Sequence, residues 1–264
     1  MTIRVLVSGS GNMGREVLAA VAREQDMEPV GVLEKFSSED GVALPGGAGS
    51  VPMSADISAL LDATKPDVII DFSNAEWTPL VADAALKRGA RLVIGTTGMP
   101  ESWLDELAAR CQERGVGAVV AANFAIGAVL MIHMAKAAAR FFDAAEIIEL
   151  HHDKKVDAPS GTALTTAREM LTARGKPFDR NEPDRQTLAN SRAAHVDGVT
   201  IHSVRLPGLV AHQEVVFGGL GQTLTIRHDT TGRDSFVPGV LLATREVMQR
   251  KELVRGLASL VGLE

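Results

Sequence analysis

From Glu149 to Ala163 the chain reads Glu-Leu-His-His-Asp-Lys-Lys-Val-Asp-Ala-Pro-Ser-Gly-Thr-Ala. Two imidazoles, His151 and His152, and two ammonium groups, Lys154 and Lys155, crowd the junction between a strand-like run and a helical one. Pro159 favours an extended residue before it, and Ser160 is placed to cap a helix. The first turn then leaves N–H groups at Gly161, Thr162 and Ala163 without intrahelical partners. A helix N-terminus beside cationic side chains binds anions, and a carboxylate is the expected ligand. Lys155 can hold a carboxylate and supply a proton. His151, with an ordinary pKa of about 6.5, can exchange a proton near neutral pH. A metal site and a solvated charged loop are the alternatives. The metal reading is weakened because adjacent histidines on extended chain point to opposite sides and no i, i+4 pair forms.

A second motif lies near the start. Gly9-Ser10-Gly11-Asn12-Met13-Gly14 follows a strand-like run and opens a helical one. Glycines there let the backbone turn tightly and approach a pyrophosphate, and the helix start supplies free N–H groups and partial positive charge. Glu34 falls at the end of the next strand, where a carboxylate can accept from a ribose diol, whereas Lys35 can pair with a 2′-phosphate. Both NADH and NADPH are therefore expected to bind. Asp71-Phe72-Ser73 and Gly95-Thr96-Thr97-Gly98 follow two later strands, where ligands of open parallel sheets collect. Phe72, Ser73, Gly95, Thr96 and Thr97 are candidates for the nicotinamide end.

These motifs need a scaffold. The spacing predicts strands at Ile3–Ser8, Pro29–Leu33, Asp67–Asp71, Arg91–Ile94 and Val116–Ala121, and helices at Met13–Arg23, Trp77–Arg88 and Glu101–Arg114. Short apolar runs separated by helices imply a parallel sheet. Beyond that come a long helix, Ile126–Phe142, a strand, Glu146–Leu150, and a loop and helix over His151–Arg174. A polar excursion, Gly175–Asn190, leads to strand-like segments Thr200–Arg205, Ala211–Phe217 and Thr223–His228. Their short spacing predicts antiparallel pairing with one another. A helix over Val237–Arg250 ends the pattern. His133 reads as a packed helix residue, and Met27, Met131 and Met134 as packing residues. His195, His202, His212 and His228 read as strand or surface positions.

Composition narrows the class. The 264 residues are 45% hydrophobic and 23% charged, with net charge −6, which suits a globular protein and disfavours nucleic-acid or anionic-membrane partners. No apolar run is long enough to span a bilayer. The opening MTIRVLVSGSG reads as a strand entering a turn rather than a signal peptide. Cys111 is the only cysteine, so no intrachain disulfide can form and a cytoplasmic location is expected. With no tyrosine, phenol chemistry is excluded.

The long segment resembles the signature of the 4-hydroxy-tetrahydrodipicolinate reductase (dihydrodipicolinate reductase) family of the diaminopimelate route to lysine. The resemblance covers essentially the whole chain. It includes the glycine loop, Asp71-Phe72-Ser73, Gly95-Thr96-Thr97-Gly98, Ala122-Asn123-Phe124, Arg205-Leu206-Pro207-Gly208 and His212-Gln213-Glu214. Two positions depart from many members: Ser8 where they have glycine, and Ala125 where they have serine. The resemblance implies an α/β protein. A Rossmann-like parallel-sheet nucleotide-binding domain would comprise residues 1–122 with 234–264. An α+β substrate and tetramerisation domain with a mixed sheet would comprise 123–233. It implies NADPH or NADH as hydride donor, a small dicarboxylate substrate and a homotetramer. His151 matches the family's acid/base and Lys155 its proton donor. His152, Lys155, Ser160, Gly161 and Thr162 match the substrate-binding segment. Glu34 and Lys35 match adenosine-ribose contacts, while Ala122, Asn123, Phe124, Arg233 and Phe236 join the cofactor set. Another Rossmann oxidoreductase would share the glycine loop but lack this signature. A cofactor-sensing protein would bind NADPH without substrate-dependent oxidation.

Overall fold

The computed structural model describes residues 2–36 and 40–263. The chain forms two compact units, Met1–Phe124 with Phe236–Glu264, and Ala125–Ser235.

In the first unit β1 (Ile3–Ser8) enters α1 (Asn12–Val21), followed by β2 (Met27–Leu33), β3 (Gly41–Ala43), β4 (Ser50–Ser54) and α2 (Ile57–Thr64). Next come β5 (Val68–Asp71), α3 (Thr78–Arg88), β6 (Arg91–Ile94), α4 (Glu101–Arg114) and β7 (Ala118–Val120). In the second unit α5 (Ile126–Ala138), β8 (Ala144–His151), α6 (Gly161–Arg174), β9 (Ala194–Val196), β10 (Val199–Arg205), β11 (Ala211–Gly219) and β12 (Gln222–Thr230) follow. The chain then returns to the first unit with α7 (Val237–Val247) and β13 (Leu253–Arg255).

The first sheet runs β13-β7-β6-β5-β1-β2-β4-β3, parallel except for the β3–β4 pair. Its central strands are apolar on both sides because both faces are covered. Val5, Leu6, Val7, Ile69, Ile70, Leu92, Val93 and Ile94 are fully buried. Leu6, Ile69 and Leu92 pack against α2, α3 and α4 through Leu61, Val81 and Leu107. Helices α1 and α7 pack together on the other face. Arg245 of α7 clamps Asp26 through two nitrogens at 2.7 and 2.8 Å and reaches Glu24 at 2.5 Å, tying the returning helix to the α1–β2 turn.

The second sheet runs β12-β11-β8-β10-β9. Strand β8 pairs parallel with β10 and antiparallel with β11. This corrects the expected direct pairing of Thr200–Arg205 with Ala211–Phe217. The intervening Leu206–Val210, with Pro207 and Gly208, carries the chain across the end of β8 instead of closing a tight hairpin. The β11–β12 hairpin does form, around Leu220 and Gly221. Strand β8 alternates, and its inner residues Ala145 and Ile147 meet Ala135 and Ala139 of α5, Ala163, Ala167 and Met170 of α6, and Val215 and Phe217 of β11. Helix α5 ends four residues before its expected limit, and Phe142 beyond it packs on Phe217 at a 5.4 Å ring separation. Met27 and Met131 are buried, but Met134 is 48% exposed, so it is not a core residue within its unit.

Phe217 anchors this core against Phe142 and Phe178. Phe217→Ala is expected to cost about 3–5 kcal/mol, because the remaining strand and helix cannot collapse into the space. Urea denaturation of the variant reads this as a lowered midpoint for the second unit, and an unchanged midpoint contradicts it.

Candidate active site

In the first unit Gly9 adopts φ +98°, and a Cβ there would stand 2.6 Å from the Phe72 carbonyl oxygen. At Gly14 a Cβ would stand 1.8 Å from the Gly9 carbonyl oxygen. Around Gly11 there is open space, and Gly11 caps α1 with no side-chain hydrogen bond. The N–H groups of Asn12, Met13 and Gly14 therefore begin the helix without an internal acceptor. Tight packing behind the loop and room before it fit a pyrophosphate.

Glu34 stands beside this loop. Its Oε2 accepts from Ser10 N–H at 2.8 Å and the Ser10 hydroxyl at 2.7 Å. Partial burial pushes the carboxyl up, but the Ser10 donors and the Phe36 and Lys35 amides outweigh it and hold it below the ordinary range. An anionic acceptor is thus preformed beside the phosphate loop. Lys35 is exposed, 3.6 Å from Glu76 and 5.4 Å from the Phe36 ring centre.

Asp71, which precedes the candidates Phe72 and Ser73 and carries no sequence signal of its own, organises the loops at the strand ends. It is fully buried and accepts from Thr78 at 2.5 Å, Thr96 at 2.7 Å and Ser73 at 2.7 Å. The Thr96 hydroxyl also accepts from Ser73 N–H at 3.0 Å. This web fixes Ser73 and Thr96 while Thr97 stays exposed. Phe72 lies 5.6 Å from Phe124, ring to ring, and a Cβ on Gly95 would strike the Phe72 ring at 2.1 Å. Phe124 is buried, Ala122 exposed and Asn123 half-buried. Arg233, exposed, and Phe236, half-buried, bound a short 3-10 helix before α7.

The second cluster belongs to the other unit. Strand β8 places Glu149 and His151 two residues apart, hence on one face. Glu149 is fully buried. Arg205, opposite His151 in the β8–β10 register, clamps it with Nη1 to Oε2 at 2.9 Å and Nη2 to Oε1 at 2.8 Å. His151 Nδ1 lies 2.5 Å from Oε2, and Ser160 N–H donates to Oε1 at 3.2 Å. Burial pushes the Glu149 carboxyl up, yet Arg205, Ser203 and His151 outweigh it and keep it low and anionic. For His151, burial lowers the pKa most. Glu149 opposes this, Lys155 and Arg205 add to it, and the net shift is downward. A neutral His151 therefore carries its proton on Nδ1, toward Glu149, leaving Nε2 as the basic nitrogen.

Arg205 also donates to the Asp157 carbonyl at 2.8 Å, pinning the turn that carries Lys155. Lys155 Nζ pairs with Asp157 at 2.7 Å in an exposed contact. Ser160 caps α6 as expected, accepting from Ala163 N–H at 3.2 Å. Ser160 is itself buried, with its hydroxyl on the helix and its N–H on Glu149. Both of its polar groups are thus engaged within the unit. With Ala163 also engaged, Gly161 and Thr162 keep the helix-end N–H groups, and Gly161 has open space at its missing side chain. Behind them Gln213 donates to Thr166 at 2.8 Å, and Thr166 donates to the Thr162 carbonyl at 2.8 Å. His152 is exposed just past the strand. Among the described residues no group of three metal-ligating side chains converges. His212 is committed elsewhere, with Nδ1 on Asp229 at 2.7 Å and Nε2 accepting from Val210 N–H at 3.2 Å.

Gly14→Ala is expected to weaken NADPH binding at least about tenfold, or about 1.4 kcal/mol, because relieving the clash moves the loop. Fluorescence titration of NADPH checks this, and unchanged affinity would detach the loop from the cofactor.

Comparison with known proteins shows the family. The family model for the dihydrodipicolinate reductase N-terminus matches residues 3–124, and that for its C-terminus matches 127–261. A 4-hydroxy-tetrahydrodipicolinate reductase from Dehalococcoides mccartyi is 48% identical over 262 residues, covering 99% of both chains. One from Moorella thermoacetica is 47% identical, covering 98% of each. A dipicolinate-bound dihydrodipicolinate reductase from a Paenisporosarcina species superposes with TM-score 0.88 at 41% identity, covering 98% of this chain and 99% of that one. The two family models, which between them span nearly the whole chain, place it in the dihydrodipicolinate reductase family.

Proposed function

We propose that this protein reduces 4-hydroxy-tetrahydrodipicolinate to tetrahydrodipicolinate with NADH or NADPH, using His151 and Lys155 for proton handling. The observation that carries the reading is that one buried carboxylate, Glu149, takes both the His151 ring and the Ser160 amide at the start of α6, while its partner Arg205 holds the Asp157 carbonyl beside Lys155. When bound at Gly9–Gly14, Glu34, Lys35 and the Phe72–Ser73 and Gly95–Thr97 loops, the dinucleotide supplies a hydride. Ala122, Asn123, Phe124, Arg233 and Phe236 complete that set.

The second unit's residues do the rest. The N–H groups of Gly161 and Thr162 hold one substrate carboxylate. Lys155 and exposed His152 hold the other. Lys155 leaves Asp157 at little cost, since an exposed ion pair is worth about 0–1 kcal/mol. The 4-hydroxyl group leaves as water, which gives the conjugated imine; as that imine accepts the hydride, negative charge spreads along an enamine and is relieved by a proton. Lys155 delivers that proton or polarises the acceptor. His151, basic at Nε2 around neutral pH, exchanges protons with the ring and with Lys155. A cationic site on a chain of net charge −6 also draws a dianion from solution.

The assembly is read as a homotetramer through the second sheet. Opposite α5 and α6 that sheet presents Ile148, Leu150, Val204 and Val216, all half-buried within their unit. Such a face favours burial against another copy. Cys111 is buried as a free thiol, which suits work in the cytoplasm. No helix among the described residues is long and apolar enough to cross a membrane.

The test is loss of NADPH absorbance with substrate made freshly by the preceding synthase, with pyridine-2,6-dicarboxylate as competing dianion. Lys155→Ala and His151→Ala should each lower kcat at least about a hundredfold while NADPH affinity stays near wild type, as loss of a positioned proton-transfer group does. Normal turnover in either variant removes that residue from its role. No substrate-dependent oxidation by the wild-type protein removes the reaction.

A further inference from the structure

A carboxylate with no solvent exposure is costly to bury unless every lone pair is met. Glu149 meets this condition. Oε1 takes Arg205 Nη2 and the Ser160 amide, and Oε2 takes Arg205 Nη1 and His151 Nδ1. Three of these donors would suffice to join β8, β10 and α6. The fourth is the imidazole, at the shortest of the four distances, 2.5 Å.

We propose that Glu149 is a positioning residue for the reduction: held by Arg205, its carboxylate accepts the hydrogen bond from His151 Nδ1–H and so presents Nε2 to the substrate. The inference rests on the reductase reading and deepens it. A neutral imidazole in water favours neither nitrogen strongly, and its ring can turn over. Here strand geometry fixes the carboxylate two residues before the histidine, on the same face. Arg205 holds that carboxylate from the neighbouring strand and, through the Asp157 carbonyl, holds the Lys155 turn as well. One guanidinium thus sets the spacing between the two proton-handling side chains.

The charges around His151 are Glu149 on its own strand, Arg205 on β10, and Lys155 and Asp157 on the following turn. From β11 Gln213, which does not titrate, lies opposite Glu149. Of these, the Glu149 anion supports the imidazolium directly, while Arg205 and Lys155 oppose it. Removing the anion must lower the pKa of His151 further. A pH–rate limb belonging to His151 therefore moves to lower pH in Glu149→Gln.

The experiment compares wild type, Glu149→Gln and Glu149→Asp. In wild type, ¹⁵N NMR of the His151 ring at a pH above its titration should show the Nδ1–H tautomer. Glu149→Gln should lose that preference, lower kcat about ten- to a hundredfold, and move the His151 limb down by about one pH unit. Substrate KM should change less than about threefold, in the pattern of a group acting on the transition state. Glu149→Asp, which keeps the charge, should recover the limb toward wild type. A part confined to tying strands together would lower Tm in both variants yet leave tautomer and limb in place, and that result overturns the proposal. So does a wild-type His151 carrying its proton on Nε2, a measurement that stands even where a variant does not fold. Wild-type protein without reductase turnover overturns the reductase reading instead, and the tautomer still decides the Glu149 contact.

Discussion

A buried anion held by one guanidinium determines the layout of the second unit. Glu149 has no exposure to water, and its pairing with Arg205 fixes where β10 lies against β8. The same carboxylate takes the Ser160 amide, which fixes where α6 begins. Once α6 begins there, the two helix-end N–H groups at Gly161 and Thr162 have no acceptor within the helix. The pair of open helix-end N–H groups is thus a consequence of satisfying one buried charge.

The first unit solves a similar problem at the ends of β5 and β6. Asp71 is buried and meets three hydroxyls, from Ser73, Thr78 and Thr96. The loops after these strands are held from below, while Thr97 stays exposed. Gly9 and Gly14 act sterically, since any side chain at either would collide with backbone. Both units use the same design: a costly polar group is fully satisfied inside so that a helix end or loop outside stays rigid and unsatisfied.

Much of this was legible in the chain because it is local. Strands Ile3–Ser8 and Arg91–Ile94 are short apolar runs buried on both faces, and the structure reproduces their limits. The Ser160 cap follows from a contiguous motif. Long-range pairing was not legible. Glu149 and Arg205 lie 56 residues apart, and nothing in their neighbourhoods announces a partner. For the same reason chain spacing does not place β8 between β10 and β11, since strand order depends on which edges meet. The β3–β4 pair lies in a stretch rich in glycine and proline, whose composition reads as loop. Helix α5 stops at Ala138, although the apolar residues after it continue the helical pattern, because they pack as a turn.

The most direct test of the account is a crystal structure of the protein with oxidised cofactor and pyridine-2,6-dicarboxylate. The account predicts one carboxylate on the N–H groups of Gly161 and Thr162, the other on Lys155, and His151 Nε2 turned to the ring with Nδ1 still on Glu149. A dianion bound away from the start of α6, or an imidazole flipped so that Nε2 meets Glu149, would contradict it.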